Sequence, residues 1–166
     1  KQHSFDRCLY YHVGQDGLLD ALMIVHVDDM LAVYSETFPL ELLEGMFKWG
    51  SVTKITHDTP GEFRGKEIQM IVEDNKVSYK VTQKSFIKNL APGNLRVGRL
   101  RQPPELSDEE RKEFRSVCGC LQWLGGQTRP ELCAATSLAH RGADTDIHDL
   151  KHLYECIAFA KQTADC

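Results

Sequence analysis

The chain has 166 residues, 42% hydrophobic and 27% charged, a globular balance that excludes a disordered or low-complexity segment and suits one domain or two small ones. Its most apolar run, Ala21–Val25, is strand length and far short of the roughly 18 apolar residues of a membrane span, so no membrane partner is expected. The net charge of −4 hides a basic middle: Lys48–Arg101 holds eleven Lys or Arg against five Asp or Glu, and the remainder nine against nineteen.

In chain order, Cys8–Val13 and Leu18–Val27 read as strands around the turn Gly14-Gln15-Asp16-Gly17. Asp28 and Asp29 interrupt the second run and Met30–Tyr34 resumes it, so two strands joined by a tight acidic turn are expected. Thr37 as N-cap, Pro39 in the first turn and the spacing of Leu40, Leu43, Met46 and Phe47 predict a helix ending at Gly50. Val52–Ile55 reads as a short strand, Thr59-Pro60-Gly61 as a turn, and Phe63–Val72 with Lys76–Val81 as a hairpin about Glu73-Asp74-Asn75. A short helix over Thr82–Leu90 closes at Pro92-Gly93-Asn94.

After the irregular basic connection Arg96–Pro104, Ser107 and Glu110 have the spacing of a capping box. The helix they open has the stripe Phe114, Val117, Cys118, Leu121 and Leu124 and should stop at Gly125-Gly126. Pro130 starts a helix from Glu131 to His140, and Asp146 caps a last one with the stripe Ile147, Leu150, Leu153, Tyr154 and Ile157. The expected architecture is α+β, with an α+β part over residues 1–101 and an all-α part over 102–166.

Four of the six cysteines, Cys8, Cys118, Cys120, Cys133, Cys156 and Cys166, fall in these helices beside apolar residues, which fits free thiols better than disulfides. Lys1–Tyr11 has no apolar core of a secretory signal, so an intracellular protein of cytoplasm or nucleus is expected. The first residue is lysine, and the sequence is read as part of something longer.

The sharpest chemical feature is His26-Val27-Asp28-Asp29-Met30. Two adjacent carboxylates between apolar strands repel each other unless a cation neutralises them, and hard divalent cations take such oxygen ligands together with phosphates. The plain alternative is a solvated turn, where Asp is common. A basic middle can track phosphates or simply be a solvated surface. His148 and His152 stand at i and i+4 on one helix, a spacing that suits zinc but equally an ordinary amphipathic face. Cys118 and Cys120 are two apart on a helix and point to different faces.

An apolar strand, then Val27-Asp28-Asp29, then another apolar strand resembles the palm motif of reverse transcriptases, and the surroundings resemble the copia-retrotransposon type. Asp6-Arg7-Cys8-Leu9-Tyr10 is similar to its Asp-x-Cys-x-Tyr segment, Phe63-Arg64-Gly65-Lys66-Glu67-Ile68 to Phe-Leu-Gly-Ile-Glu-Ile, and Val81–Ile87 to Ser-Gln-x-x-Tyr-Ile. Phe114–Leu124 resembles Tyr-Arg-Ser-x-x-Gly-x-Leu-x-Tyr-Leu, Thr128-Arg129-Pro130-Glu131-Leu132 resembles Thr-Arg-Pro-Asp-Ile, and His148 opens a match to the His-Trp helix, without its aromatic. These pieces occur in family order from residue 6 to about 164.

The resemblance implies a partial polymerase palm followed by a helical thumb and connection, from an RNA-directed DNA polymerase. It implies Mg²⁺ or Mn²⁺ as cofactor and an RNA or DNA primer–template and deoxynucleotides as partners, and leaves the oligomeric state open. Asp28 would be the direct metal ligand and Asp29 its support. The third family carboxylate has no match here, so this chain alone is expected not to polymerise. His26 replaces the family's tyrosine near the primer terminus. Phe63, Arg64, Gly65 and Lys66 would belong to a primer-grip hairpin over Phe63–Ile68, with Arg64 and Lys66 meeting phosphates. Lys54 is a candidate pyrophosphate-protonating lysine. Arg129 either holds a carboxylate or phosphate bidentately or forms a structural ion pair. Arg115 and Gln122 sit in matched motifs, and Trp123 is expected in the core. The competing readings are a non-catalytic nucleic-acid-binding remnant and a decayed transposon reading frame.

Overall fold

A computed structural model describes residues 1–45, 47–91 and 93–165. The protein is mixed α and β and divides into two compact units, Lys1–Lys80 and Val81–Cys166. The division falls before the basic connection at which the sequence changes character, because Ile87, Leu90 and Leu95 join the helical core and draw the 81–101 segment into the second unit.

The first unit carries two small antiparallel sheets. Strands β1 (Leu9–Val13), β2 (Leu19–His26) and β3 (Asp29–Tyr34) form one sheet in that order, each rich in β-branched, aromatic and long apolar residues. The β1–β2 turn closes through Gly14 N–H to the Leu18 carbonyl at 2.8 Å, with Gly17 at φ 79° and the Asp16 carboxylate accepting from Leu18 N–H. Phe38 packs against the rings of His12 and Tyr34.

The second sheet is β4 (Gly61–Phe63), β5 (Lys66–Glu73) and β6 (Lys76–Thr82). The expected strand Phe63–Val72 is therefore two strands. Arg64 (φ 54°) and Gly65 (φ 68°) turn the chain, and Phe63 pairs back with Lys66. Asp74 and Asn75, both left-handed, make the expected turn into β6.

Two other expectations change. The helix predicted over Thr37–Gly50 shrinks to α1 (Glu41–Glu44). The Thr37 hydroxyl bonds Ser35 at 2.8 Å instead of capping, and Leu40 and Leu42 stay exposed, so no buried face extends the helix. Met46 of the predicted stripe lies outside the described residues. Val52–Ile55 forms no strand; Ile55 packs its side chain on the backbone of Gly61, where a Cβ would stand 2.5 Å from Ile55 Cγ1.

The second unit is built from α2 (Lys84–Asn89), α3 (Asp108–Gln127), α4 (Glu131–Ala139) and α5 (Ile147–Gln162). Leu121, Leu124, Ile147, Leu150 and Leu153 are fully buried at its centre. Both predicted N-caps are capping boxes, Ser107 with Glu110 and Asp146 with Asp149. Arg99 reinforces the first, donating to both Glu110 oxygens at 2.6 and 2.8 Å and to the carbonyls of Pro103 and Glu105. The turn expected after α2 begins at Leu90; its Pro92 is outside the described residues.

α3 runs through Gly125-Gly126 rather than stopping there. Gly125 is buried against α4, and a Cβ on it would lie 2.7 Å from Cys133 Sγ and 3.3 Å from Cys133 N, so the glycine permits close helix packing. Cys8, Cys118, Cys120, Cys133 and Cys156 are free thiols; Cys118 and Cys156 are buried, whereas Cys8 and Cys133 are exposed.

Gly119 lies on the exposed side of α3 with open space around it. Gly119→Ala should therefore stabilise the protein by about 0.5–1 kcal/mol. Gly125→Ala should destabilise it by about 1–3 kcal/mol through overpacking. Urea unfolding followed by circular dichroism reads both signs.

The Glu110 carboxyl is lowered from 4.5 to about 2, chiefly by the hydrogen bonds from Arg99 and further by Ser107, while burial works against them. The folded form therefore binds this proton later than the unfolded one. The stabilisation is complete above pH 4.5 and is lost as pH falls toward 2. Glu110→Gln should cost about 1–2 kcal/mol at pH 7, and the gap from the parent should close on acidification below pH 4.5. Unfolding free energies measured between pH 7 and pH 2.5 check this.

Candidate functional site

Six cross-strand pairs join β2 to β3, from Ala21 opposite Tyr34 down to His26 opposite Asp29. That register leaves only Val27 and Asp28 for the turn. Val27 has φ 54° and Asp28 does not have positive φ, the pattern of a type II′ turn, whose first central position favours glycine. A β-branched residue in this region is a true outlier and costs of order 1–3 kcal/mol. Val27 is also 82% exposed, so packing does not offset that cost locally.

The turn brings three polar groups to one end of the sheet. Asp28 occupies the second turn position and Asp29 opens β3. His26 closes β2 directly opposite Asp29, so their side chains leave on the same face. Asp28 and Asp29 are exposed and His26 is half-buried. None of the three side chains has a hydrogen-bond or ion-pair partner among the described residues. Among those residues no group of three or more His, Cys, Asp or Glu is arranged to hold a metal ion, and so no third carboxylate completes the pair.

The second hairpin carries Phe63, Arg64, Gly65 and Lys66. Phe63 is buried and anchors the end of β4; Arg64 and Gly65 project as the turn. Lys66 lies opposite Phe63, its ammonium held below the ordinary lysine value first by partial burial and second by the Arg64 guanidinium. The like charge of Arg64 makes this a locally basic turn. Lys54 is exposed on the loop whose next residue, Ile55, is pinned to Gly61 at the start of β4.

In the second unit, Arg129 is engaged in holding helix ends. It pairs with Glu131, donates to Thr163 Oγ1 at 2.6 Å and lies 5.8 Å from the centre of the Phe159 ring. Of its two sequence readings, this is the structural ion pair. Arg115 and Gln122 lie exposed on α3, and Trp123 is half-buried. His148 is exposed, while His152 approaches Glu155 and the buried thiol of Cys156, without a zinc-type ligand group among the described residues. A crevice of about 590 Å³ lies between the Asn94–Ser107 strap, α3 and α5, floored by Leu106, Leu150 and Tyr154. Its wall is the Arg99–Glu110 pair that holds the strap.

Sequence reasoning missed the strain at Val27 and at Arg64. The available signal was register: counting back from paired apolar strands leaves a β-branched residue where a two-residue turn prefers glycine. Compared with known protein families, curated proteins and solved structures, the chain matches none.

Val27→Gly should relieve the left-handed valine at the expense of a more flexible unfolded chain, a net stabilisation of about 0.5–1 kcal/mol. Slower amide hydrogen exchange across β2 and β3 is the expected readout.

Proposed function

We propose that this chain is part of an RNA-directed DNA polymerase of the copia-retrotransposon type, containing a portion of the palm over the first unit and thumb and connection over the second. One observation carries the reading. Among the described residues, four that are not glycine have positive φ, and two of these, Asp74 and Asn75, are types that tolerate it in turns. The other two, Val27 and Arg64, sit in the two hairpins that hold the sequence-predicted metal and primer residues. Strain kept at two specific turns supports a requirement for those turns' shape.

In this reading Asp28 is the direct ligand of Mg²⁺ or Mn²⁺ and Asp29 supports it. The donor chemistry fits: two unengaged carboxylates match a hard divalent cation that completes its shell with water and substrate phosphate. Such an ion would supply activation of the primer 3′-hydroxyl and neutralisation of the departing pyrophosphate. Arg64 and Lys66 would hold primer phosphates, with Phe63 and Gly65 shaping the hairpin, and His26 would stand near the primer end. The sole lysine proposed for pyrophosphate is Lys54.

The second reading is a non-catalytic nucleic-acid-binding module that uses the basic stretch Lys48–Arg101. The two separate by experiment. In a protein that joins this chain to the segment supplying a third carboxylate, Mg²⁺-dependent primer extension should fall at least about 100-fold on Asp28→Asn, as expected for loss of a transition-state metal ligand. Salt-sensitive duplex binding without extension would support the module instead. Absence of both would leave a decayed reading frame.

A further inference from the structure

We propose that the outer edge of β6 pairs with the same edge of a second copy of this chain, antiparallel about Tyr79, to form a two-fold symmetric dimer. This does not depend on the polymerase reading.

The first support is an edge left open. A sheet edge presents a row of unpaired backbone groups, and proteins commonly shorten, cover or charge it. Here β1 is covered by the first residues of the chain: Tyr11 N–H donates to the Lys1 carbonyl and His3 N–H to the Leu9 carbonyl, each at 2.8 Å. β4 has only three residues. β6 has seven and stands at the end of its sheet. The left-handed Asp74 and Asn75 make a two-residue turn, so Glu73 and Lys76 close the hairpin and the bonding direction alternates from there. Val77, Tyr79 and Val81 therefore turn their backbone N–H and C=O away from β5. Among the described residues those groups bond nothing outside the sheet.

The second support is what the edge displays. The same three side chains share one face and are 59%, 56% and 45% exposed. Val72, also exposed, stands opposite Val77 across the turn. An apolar stripe thus occupies a face that an isolated sheet would give to polar residues.

The third is register. With Tyr79 on the two-fold axis, Tyr79 meets Tyr79 of the second copy, Val77 meets Val81, Ser78 meets Lys80 and Lys76 meets Thr82. Outward-facing backbone then pairs with outward-facing backbone. Moving the axis to Ser78 sets Lys76 against Lys80, and moving it to Lys80 sets that lysine against itself. Of these three axes, the one at Tyr79 opposes no like charges directly and aligns aromatic and β-branched pairs. The lysines meet only on the diagonal, so added salt should tighten the dimer.

The test is sedimentation velocity on the chain between about 10 and about 500 µM, a range that brackets a modest affinity. Amide hydrogen exchange at both ends of the range locates the contact. The expected result is a monomer–dimer equilibrium, with added protection at Val77, Tyr79 and Val81. Tyr79→Lys sets two ammonium groups against each other and should weaken the dimer at least about tenfold. The register has its own check. Val77→Lys and Val81→Glu chains, mixed in equal amounts, should dimerise more tightly than either alone, because only the mixed dimer sets Lys against Glu. Unchanged circular dichroism shows that the variants keep their fold. A monomer throughout the range overturns the proposal, as does a dimer that Tyr79→Lys leaves intact, protection on another surface, or a mixture no tighter than its components.

Discussion

Everything at the candidate site depends on a geometrical constraint: two residues, no more, connect β2 to β3. Six cross-strand pairs fix both strands, and a two-residue connection between strands so fixed must take a primed turn to match their twist. Val27 therefore has to be left-handed although its side chain resists it. The same constraint fixes the backbone positions of Asp28 and Asp29. Asp28, in the turn, and Asp29, at the start of β3, are both exposed. The ladder holds the strain at the turn.

The two units are stabilised very differently. The second has a continuous core around five fully buried aliphatic side chains, closed by two capping boxes and the arginine pairs at its helix ends. In the first, Phe38 and Phe63 are the buried apolar side chains among the described residues, and Ile24, Val33, Val72, Val77 and Tyr79 are exposed on the strands. With so few deeply buried groups, the strands of the first unit belong to the part of the molecule that opens more readily. A strained turn on a lightly buried sheet would be costly unless its shape served a purpose, which is why strain at Val27 weighs more in the functional argument than it would inside the helical core.

How much of this was legible follows from where the information lies. Periodicity and capping are local, and in the helical half they were sufficient: Ser107 with Glu110, Asp146, and the stripes on α3 and α5 were all readable. The misreadings came where a distant contact decides. Gly125 looks like a stop until Cys133 on the neighbouring helix is seen to occupy the space a side chain there would fill. Leu40 and Leu43 look like a helix face, but no partner surface buries them, and α1 remains a single turn. The Arg64–Gly65 turn hides in an apolar run because strand propensity does not register a reversal. At the site, the positions of Asp28 and Asp29 were legible from two flanking apolar runs, whereas the pairing of His26 with Asp29 required the register.

The incompleteness of the ligand set bears on the proposed chemistry. A dication held by a pair of carboxylates at an exposed turn would keep several waters and bind weakly. For the proposed transfer of a nucleotidyl group that weakness is compatible with the reaction, since Mg²⁺ and Mn²⁺ are commonly held by one or two carboxylates together with substrate phosphates. The ion and the nucleotide would then assemble together, each supplying what the other lacks. A rigid turn matters most in such a site: with few protein ligands, positional accuracy must come from the backbone that carries them, and here that backbone is the strained two-residue link between β2 and β3.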